Sequence, residues 1–483
     1  MENSKIIGRK KEQHLLNTLC NKKEAQLIAV YGRRRVGKTF LIKNYFNNEF
    51  DFFFTGSYNL ATNVQLSLFR EALQQYSHAA QPNFKTWFEA FAALQTYISS
   101  LSKERVVVFI DEIPWMDMPN ANFIGAFSYF WNTWGSSCEK LKLFVCGSAT
   151  TWMLNKFVGD KGGLYGRSNR SIYIAPFSLN ETELFLKDRG IVWTRQQITE
   201  TYMILGGIPY YLDMLDGSLP LSRNIDNLFF NENGNLRREY DFLFRSLYNN
   251  SGLHKQIVES LSKKLKGMSQ NEIKESIGYQ SGGAFSEALE NLEKCDFIRK
   301  YNSFGKKNKD AIYQLSDQYS LFYLHFVTNH NGQDSHFWEN LNAHTHDSWA
   351  GYAFEQVCFQ HINQIKSKLG IRGTMTNAYS WSCQPKVDKD GTVWKGAQID
   401  LLLQRADQII NICEVKYSKH PYVITADYYS RILERNSTFV HRTKAKEALH
   451  NTFITTLGVQ RNQFSEAMQS EVVLDDLFKE DPD

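Results

Sequence analysis

The sequence has little proline and no closely paired cysteines. Nine prolines occur in 483 residues, while 42% of the residues are hydrophobic and 14% are aromatic, which excludes a proline-rich disordered chain and predicts a globular one. The seven cysteines are scattered, odd in number and never spaced as a CxxC pair. This spacing excludes the common zinc-binding patterns and predicts free thiols in a reducing compartment.

A long apolar run and a large net charge are also missing. No stretch approaches the length needed to cross a bilayer, and the start MENSKIIGRKKEQ lacks the apolar core of a signal peptide. We therefore expect no membrane association and a cytoplasmic location. The formal net charge of +4 is too small to indicate a nucleic-acid partner, so any basic surface must be local. The length predicts three or four domains.

A phosphate-binding loop is predicted near the start of the chain. Residues 25–46, AQLIAVYGRRRVGKTFLIKNYF, read as a buried strand, a GxxxxGKT loop and a helix. Glycines allow backbone amides to close around phosphate oxygens, Lys38 would reach the terminal phosphates, and the Thr39 hydroxyl would bind Mg²⁺. The predicted nucleotide contacts of this loop are Gly32, Arg33, Arg34, Arg35, Val36, Gly37, Lys38 and Thr39.

Two acids and a serine follow later apolar strands. The run ERVVVFIDEIPWM ends its strand in Asp111 and Glu112, at the sheet edge where α/β ligand sites form. We predict that Asp111 holds Mg²⁺ and Glu112 polarises the attacking water. The run KLKLFVCGSAT ends at Ser148, whose hydroxyl either senses the γ-phosphate or water or caps the next turn.

The first half of the chain resembles the AAA+ and STAND group of P-loop ATPases, and more narrowly the archaeal-type ATPase family that is also common in bacteria. The segments that carry the resemblance are IIGRKKEQHLL at 6–16, the loop at 32–39, FIDEI at 109–113, CGS at 146–148, LYGRSNRSIYIAPF at 164–177 and LGGIPYYL at 205–212. The resemblance implies that Gly8 and Arg9 lie near the adenine and that Arg167 touches phosphate. Arg170 could do the same as Arg167.

The middle of the chain predicts a helical lid and a winged helix-turn-helix. Residues 181–245 alternate apolar and charged positions at helical spacing. After residue 250, three helices lead to two short strands joined by the basic loop SFGKKNK, and such a loop touches phosphate in DNA readers. The third helix carries three carboxylates, Glu287, Glu290 and Glu293, which a DNA backbone would repel. Two uses therefore stay open: DNA contact through Lys306, Lys307 and Lys309, or packing against the ATPase core.

The stretch GAQIDLLLQRADQIINICEVKYS, residues 396–418, predicts a β-hairpin with its turn near Asp407. Asp400 then lies almost opposite Glu414, and such a pair of like charges repels unless a positive group holds it. The strand period places Glu414 and Lys416 on one face. The alternative is an edge hairpin whose charged residues are solvated.

The run DSWAGYAFEQVCFQHINQIKSKLG before the hairpin predicts one long helix over residues 347–370. With this helix, the hairpin resembles the PD-(D/E)xK nucleases, although Ile399 stands where proline is usual. The resemblance implies that Asp400 and Glu414 bind Mg²⁺ or Mn²⁺, that Glu355 completes the metal shell, and that Lys416 stabilises the attacking water or the developing phosphorane charge.

The sequence thus predicts a multidomain α/β protein with a P-loop AAA+-like parallel sheet. Its predicted parts are an ATPase core at 1–180, a helical lid at 181–245, a winged helix-turn-helix at 246–328 and a restriction-endonuclease-like α/β domain at 329–483. The predicted function is an ATP-hydrolysing switch that controls a metal-dependent, DNA-acting domain. Alternatives are an ATP-gated regulatory or binding protein with an inactive nuclease-like domain, and a partner-remodelling ATPase.

Overall fold

The computed structural model describes residues 5–158, 170–247, 251–280, 282–302, 304–305, 311–330 and 334–481. The chain divides into two compact units, Met1–Pro176 with Arg245–Asn249 and Phe177–Phe244 with Asn250–Asp483. The predicted end of the ATPase core at residue 180 lies four residues beyond the first boundary. The predicted limit between residues 245 and 246 falls in the segment Arg245–Asn249 of the first unit, and the limit between 328 and 329 falls inside the second unit. Both stay predictions.

The first unit contains a five-stranded parallel sheet. Its strands are β1 (Gln26–Tyr31), β2 (Phe52–Thr55), β3 (Val106–Asp111), β4 (Leu141–Gly147) and β5 (Arg170–Tyr173), in the spatial order β2-β3-β4-β1-β5. Its helices are α1 (Lys10–Cys20), α2 (Lys38–Tyr45), α3 (Thr62–Ser77), α4 (Trp87–Ser100), α5 (Phe123–Thr133) and α6 (Thr150–Met153). Shorter turns are the 3-10 helices Ile113–Met116 and Gly135–Ser137 and the π-helical turn Leu154–Val158.

The continuous apolar runs form this sheet because its central strands are covered on both faces. All six residues of β3 and all seven of β4 are buried. Aromatic side chains fill the space between sheet and helices, with Phe52, Phe69 and Trp87 fully buried. The carboxyl ends of β1, β3 and β4 therefore meet on one edge, as the sequence predicts.

The second unit begins with helices. These are α7 (Leu179–Asp188), α8 (Arg195–Leu205), α9 (Pro209–Leu212), α10 (Leu221–Ile225) and α11 (Glu239–Leu247, which ends beyond this unit), with a π-helical turn at Asp226–Phe230. Capping boxes start α7 at Ser178 and α8 at Thr194 and satisfy backbone amides that have no partner inside the helix.

A three-helix segment with a small antiparallel sheet follows. It comprises α12 (Ser251–Ser262), β6 (Met268–Ser269), α13 (Gln270–Ser276), α14 (Gly283–Lys294), β7 (Ile298–Tyr301) and β8 (Ile312–Leu315), in the sheet order β6-β8-β7. Ser269 caps α13, because its side chain accepts a hydrogen bond from the Glu272 amide. The short strand β6 was not predicted, because two residues carry no periodic pattern.

The rest of the unit carries a five-stranded mixed sheet. Its elements are α15 (Gln318–Phe322), the π-helical turn Tyr323–Val327, α16 (Ala343–Gln360), α17 (Ile362–Lys368), β9 (Thr376–Cys383), β10 (Lys386–Val387), β11 (Val393–Trp394), β12 (Ala397–Arg405), β13 (Ile409–Lys416), β14 (Tyr422–Val423), α18 (Ala426–Thr443), β15 (Ala448–Thr455), β16 (Val459–Gln460), the 3-10 helix Ser465–Ala467, β17 (Ser470–Val473) and α19 (Leu474–Leu477). The large sheet has the order β17-β15-β13-β12-β9. Strands β9, β12 and β13 pair antiparallel, and β13, β15 and β17 pair parallel.

The single long helix predicted over residues 347–370 is two helices in the structure. The break lies at His361, where φ is -111° and ψ is 32°. The His361 ring lies between two elements, since Nδ1 donates to the Val357 carbonyl at 2.8 Å and Nε2 accepts from the Leu179 amide at 2.9 Å. This tertiary contact accompanies a break that the helical periodicity does not reveal. Within the residues described, no helix is both long enough and apolar enough to cross a membrane.

Candidate functional site

The loop between β1 and α2 depends on glycine at two positions. Gly32 has φ of +145°, and a Cβ atom there would lie 2.3 Å from the Ile174 carbonyl oxygen. Gly37 has φ of +88° and precedes α2 directly. Backbone conformations of this kind are strained for residues with a side chain. The predicted strand, loop and helix are therefore present with the geometry that a phosphate-binding loop requires.

Lys38 lies inside this loop. Its Nζ donates to the carbonyl oxygens of Gly32 at 2.9 Å and Arg33 at 2.8 Å, and its side chain is buried. Loop carbonyls thus hold the ammonium in place beside the N-terminus of α2. A phosphate bound at that N-terminus would meet both the ammonium and the positive end of the helix dipole.

Thr39 and Asp111 are in direct contact. The Thr39 Oγ1 hydroxyl donates to Asp111 Oδ2 at 2.7 Å, and Asp111 is buried at the end of β3. A hydroxyl and a carboxylate together present the oxygen ligands that Mg²⁺ prefers. The two residues predicted to bind Mg²⁺ in the nucleotide site are brought together, and their oxygen donors fit the ion.

Glu112 and Ser148 form a second contact at the same sheet edge. The Ser148 hydroxyl donates to Glu112 Oε1 at 2.7 Å, and its backbone amide donates to Oε2 at 3.3 Å. Glu112 has φ of +47°, an uncommon conformation for a residue with a side chain. The helix after Ser148 has Ala149 as its N-cap, without a side-chain cap. The Ser148 hydroxyl therefore holds the carboxylate of Glu112 and does not cap the helix.

The remaining predicted nucleotide contacts lie around the loop. Arg9 Nη2 donates to the Val36 carbonyl at 3.1 Å, and the Gly8 carbonyl accepts from Gln13 at 2.8 Å. Arg33 is buried, Arg34 is exposed, and Arg35 has φ of +72°. Arg167 lies outside the described residues, and its alternative Arg170 is the exposed first residue of β5.

A second group of charged residues lies in the second unit. Strands β12 and β13 pair with Leu401 opposite Cys413, and continuing this register by one residue places Asp400 opposite Glu414. The register agrees with the predicted turn at Asp407. Glu414 is buried and forms an ion pair with Arg435 of α18, and it also accepts a hydrogen bond from the Tyr428 hydroxyl.

The positive charge beside Glu414 is therefore supplied by the protein. Arg435 was not predicted, because it comes from a helix that follows the hairpin and the sequence pattern does not show which of its faces meets β13. Lys416 Nζ lies 3.6 Å from Glu414 Oε2, and burial lowers the pKa of this lysine although Asp400 and Glu355 act in the opposite direction.

Glu355 of α16 lies in the same electrostatic environment. Burial and then the charge of Asp400 raise the pKa of Glu355 to about 8, while Lys416, Arg299 and Lys266 lower it. A carboxylate pair of this kind is relieved by a cation. A divalent ion held by both Glu355 and Asp400 would relieve the repulsion between them.

Glu414 does not complete a three-ligand set. No three His, Cys, Asp or Glu side chains within the described ranges form a metal-binding group. The predicted trio of Glu355, Asp400 and Glu414 is therefore not preassembled, because Arg435 and Tyr428 engage the third carboxylate.

The β7–β8 hairpin packs on the C-terminal sheet. The Phe304 amide donates to the Ser380 carbonyl of β9 at 3.2 Å, and the Phe304 ring contacts Tyr379 and Phe439 at centroid distances of 5.6 and 5.2 Å. The packing partner of this hairpin in the second unit is thus β9 and α18. The predicted phosphate contacts Lys306, Lys307 and Lys309 lie outside the described residues. On α14, Glu287 and Glu290 are exposed, and Glu293 is partly buried.

The parallel sheet, the glycine loop with Lys38 and Thr39, and the acids at the end of β3 define the first unit as a P-loop nucleotide-binding domain. Residues 7–215 match the model of a family described as an ATPase domain predominantly from Archaea. The chain therefore carries a P-loop ATPase domain of the archaeal type, as the sequence predicts.

Three similar proteins extend the comparison. An uncharacterized protein of Methanocaldococcus jannaschii is 25% identical over 427 residues, which cover 85% of this chain and 87% of that protein. The Walker-type ATPase of Pyrococcus abyssi matches with a TM-score of 0.46 at 17% sequence identity. The match covers 66% of this chain and 96% of that protein. The ORC2 protein of Aeropyrum pernix matches with a TM-score of 0.43 at 11% sequence identity, and this match covers 66% of this chain and 93% of that protein. Similarities at this level do not identify a substrate.

Proposed function

We propose that the protein hydrolyses ATP and uses the hydrolysis cycle to control a nuclease-like C-terminal domain that acts on DNA. The observation that carries the ATPase part is the side-by-side arrangement of two pairs, Thr39 with Asp111 and Glu112 with Ser148. One pair offers metal ligands, and the other holds a carboxylate beside them. P-loop hydrolysis requires these two functions at one sheet edge.

Each residue of this site has a distinct role in the proposal. Thr39 and Asp111 would hold Mg²⁺, which neutralises charge on the phosphates when it is bound. Lys38 turns from the loop carbonyls to the terminal phosphate oxygens and stabilises the negative charge there. Glu112 accepts a hydrogen bond from the attacking water and orients it, while Ser148 keeps the carboxylate in position.

Two substitutions separate binding from turnover. Lys38→Ala is expected to abolish nucleotide binding or hydrolysis, whereas Glu112→Gln should keep ATP binding and lose turnover. Lys10→Ala, at an exposed position of α1, is the control and should behave like the parent. Phosphate release and binding of a fluorescent ATP analogue are measured for all four proteins. Equal hydrolysis by Lys38→Ala, Glu112→Gln and the parent would disprove the assignment.

The C-terminal part of the proposal rests on the pair Glu355 and Asp400. The helix that carries Glu355, the strand that carries Asp400 and the strand that ends in Glu-Val-Lys occur in the order predicted from the resemblance to PD-(D/E)xK nucleases. The positive charges of Lys416, Arg299 and Lys266 act on Glu355, and those of Lys416 and Arg299 also interact with Asp400. Acidic metal ligands beside cationic groups suit a phosphodiester substrate.

A second candidate function has an observation of its own. The ion pair of Glu414 with Arg435 and its hydrogen bond from Tyr428 favour a domain that grips DNA without cleaving it, since they occupy one expected metal ligand. In this form of the proposal the protein is an ATP-gated binding protein.

Metal-dependent stabilisation and cleavage distinguish the two candidates. Without nucleotide, Mn²⁺ should raise the melting temperature of the full-length protein. In Asp400→Asn this increase should be smaller, because Mn²⁺ no longer binds at the C-terminal site. Cleavage of supercoiled DNA by the parent but not by Lys416→Ala supports the nuclease. Stabilisation and DNA binding without cleavage support the binding protein. Equal stabilisation of the parent and Asp400→Asn would refute a metal site at this pair.

A further inference from the structure

A partly buried arginine from the β7–β8 hairpin lies at the acidic site of the C-terminal sheet. Arg299 is on β7, far in sequence from both Glu355 and Asp400, yet each of these carboxylates interacts electrostatically with its guanidinium. Burial lowers the pKa of Arg299 to about 10, and the two acids counteract that effect. Such a group stays charged at neutral pH.

Neighbouring side chains fix the orientation of this guanidinium. Arg299 Nε donates to Gln314 Oε1 at 2.9 Å, and the guanidinium stacks on the Phe359 ring of α16 at 3.2 Å from the ring centroid. Gln314 is itself held, since its Nε2 donates to the Tyr352 hydroxyl at 3.0 Å and to the Leu265 carbonyl at 2.6 Å. Arg299 thus has one preferred orientation, supported by β8 and by α16, the helix of Glu355.

One guanidinium nitrogen of Arg299, Nη1, has no hydrogen-bond partner among the described residues. This nitrogen is itself buried. A buried charged donor without a partner costs free energy, and a planar guanidinium nitrogen suits a phosphate oxygen. The acids Glu355 and Asp400 would attract a cation, and the phosphate of a bound strand would lie between that positive charge and Arg299.

We propose that Arg299 is a phosphate-binding residue of the C-terminal site and that the β7–β8 hairpin completes this site with it. The hairpin therefore contributes to the same site as Glu355 and Asp400, and its role is to hold the DNA backbone there. This inference rests on the proposed DNA-acting function of that domain. Because a backbone phosphate is recognised, the contact carries no sequence preference.

The test measures binding of a fluorescently labelled DNA duplex to the full-length protein in Ca²⁺, with Arg299→Gln and Arg299→Lys as variants. Arg299→Gln should bind about tenfold or more weakly, and its dependence of log affinity on log salt should flatten by about one unit. Lys300→Gln is the matched control on the same strand, where the side chain is exposed, and it should lower affinity less than Arg299→Gln. Stabilisation of Arg299→Lys by Ca²⁺, read from its melting temperature, should match the parent, and that of Arg299→Gln should be at least as large, since Arg299 is not a metal ligand and its positive charge opposes cation binding.

The outcomes separate this inference from the proposed function. Parent-like affinity and salt slope in a folded Arg299→Gln protein would overturn the role of Arg299, even if Asp400→Asn still removes metal binding. If the parent itself fails to bind the duplex, both proposals fall. Should Arg299→Gln not fold, Arg299→Lys decides the matter. A lysine lacks the forked geometry and must weaken binding at least about threefold, and unchanged affinity would overturn the proposal.

Discussion

The Thr39 hydroxyl in the first turn of α2 donates a hydrogen bond of 2.7 Å to Asp111 at the end of β3, although 72 residues separate them in the sequence. Asp111 also accepts from the Glu112 amide at 2.9 Å through its other oxygen. Both carboxylate oxygens are therefore directed by hydrogen bonds before any ligand is bound. Preorganisation of this kind lowers the cost of assembling a metal site.

Asp111→Asn should remove the Mg²⁺ dependence of nucleotide binding. The asparagine keeps the size of the side chain and an oxygen near Thr39 but loses the negative charge that attracts the ion. We expect Mg²⁺ to strengthen binding of a fluorescent ATP analogue by the parent and to leave binding by the variant within a factor of about two.

Asp117→Asn provides the control for this measurement. Asp117 follows the same strand and accepts from the Trp152 indole at 3.0 Å, away from Thr39. It should keep the effect of Mg²⁺. An undiminished effect of Mg²⁺ in Asp111→Asn would show that the ion binds without this carboxylate.

How much of this site could be predicted depends on how local its determinants are. The loop from Gly32 to Thr39 is one continuous segment between a strand and a helix, and its spacing alone predicts its conformation. Asp111 and Ser148 were predicted because parallel buried strands align their carboxyl ends, so that residues following each strand meet. Their roles in catalysis stay predictions.

The C-terminal site was less predictable because its counter-charges come from distant elements. The repulsion between Asp400 and Glu414 indicated that a positive group is required, but Arg435 of α18 supplies a charge that the hairpin pattern cannot identify. Arg299 reaches the site from β7 through tertiary packing on Phe359. The sequence thus predicted that a positive group must lie beside Asp400 and Glu414, but only the tertiary structure identifies the residues that provide it.

Ser148→Ala should slow ATP hydrolysis more than it weakens ATP binding. Without the hydroxyl, the Glu112 carboxylate keeps only the 3.3 Å hydrogen bond from the backbone amide of residue 148. A less restrained carboxylate orients water less often, so we expect kcat to fall about tenfold with KM nearly unchanged. Ser137→Ala, at an exposed position, is the control.

An increase of kcat in Ser148→Ala would carry a different meaning. It would show that the hydroxyl restrains Glu112 away from the attacking water in the resting protein. Steady-state phosphate release over a range of ATP concentrations separates the two outcomes, because kcat and KM are obtained together.

Gly32→Ala should destabilise the first unit strongly. A Cβ atom at this position would lie 2.3 Å from the Ile174 carbonyl oxygen, and the φ of +145° is itself unfavourable for alanine. Gly190→Ala is the matched comparison, since Gly190 has φ of +75° but no atom within 4 Å of the added carbon. It should lose only about 1 kcal/mol from backbone strain.

Thermal unfolding of both variants checks this prediction. The melting temperature of Gly32→Ala should fall further than that of Gly190→Ala, and nucleotide binding should be lost only in Gly32→Ala. Equal shifts would mean that the loop moves away from Ile174 at little cost.

The last prediction concerns acid stability and His361. The ring is buried, and its neutral form is required, because Nδ1 donates to Val357 while Nε2 accepts from the Leu179 amide. Burial lowers the pKa of His361 from 6.5 to about 4. The unfolded chain therefore binds the proton more readily than the folded one, and stability is lost as the pH falls from about 6.5 towards about 4.

The free energy of unfolding should fall by about 3 kcal/mol across the range set by the two pKa values of His361, because each unit of pKa difference corresponds to about 1.4 kcal/mol. His361→Gln should lower the melting temperature at neutral pH and then show a shallower decline with acid than the parent. His420→Gln, at an exposed histidine, should follow the parent curve. Melting temperatures recorded between about pH 7 and pH 4 test the difference, and parallel curves for His361→Gln and the parent would contradict a buried neutral ring between α7 and α16.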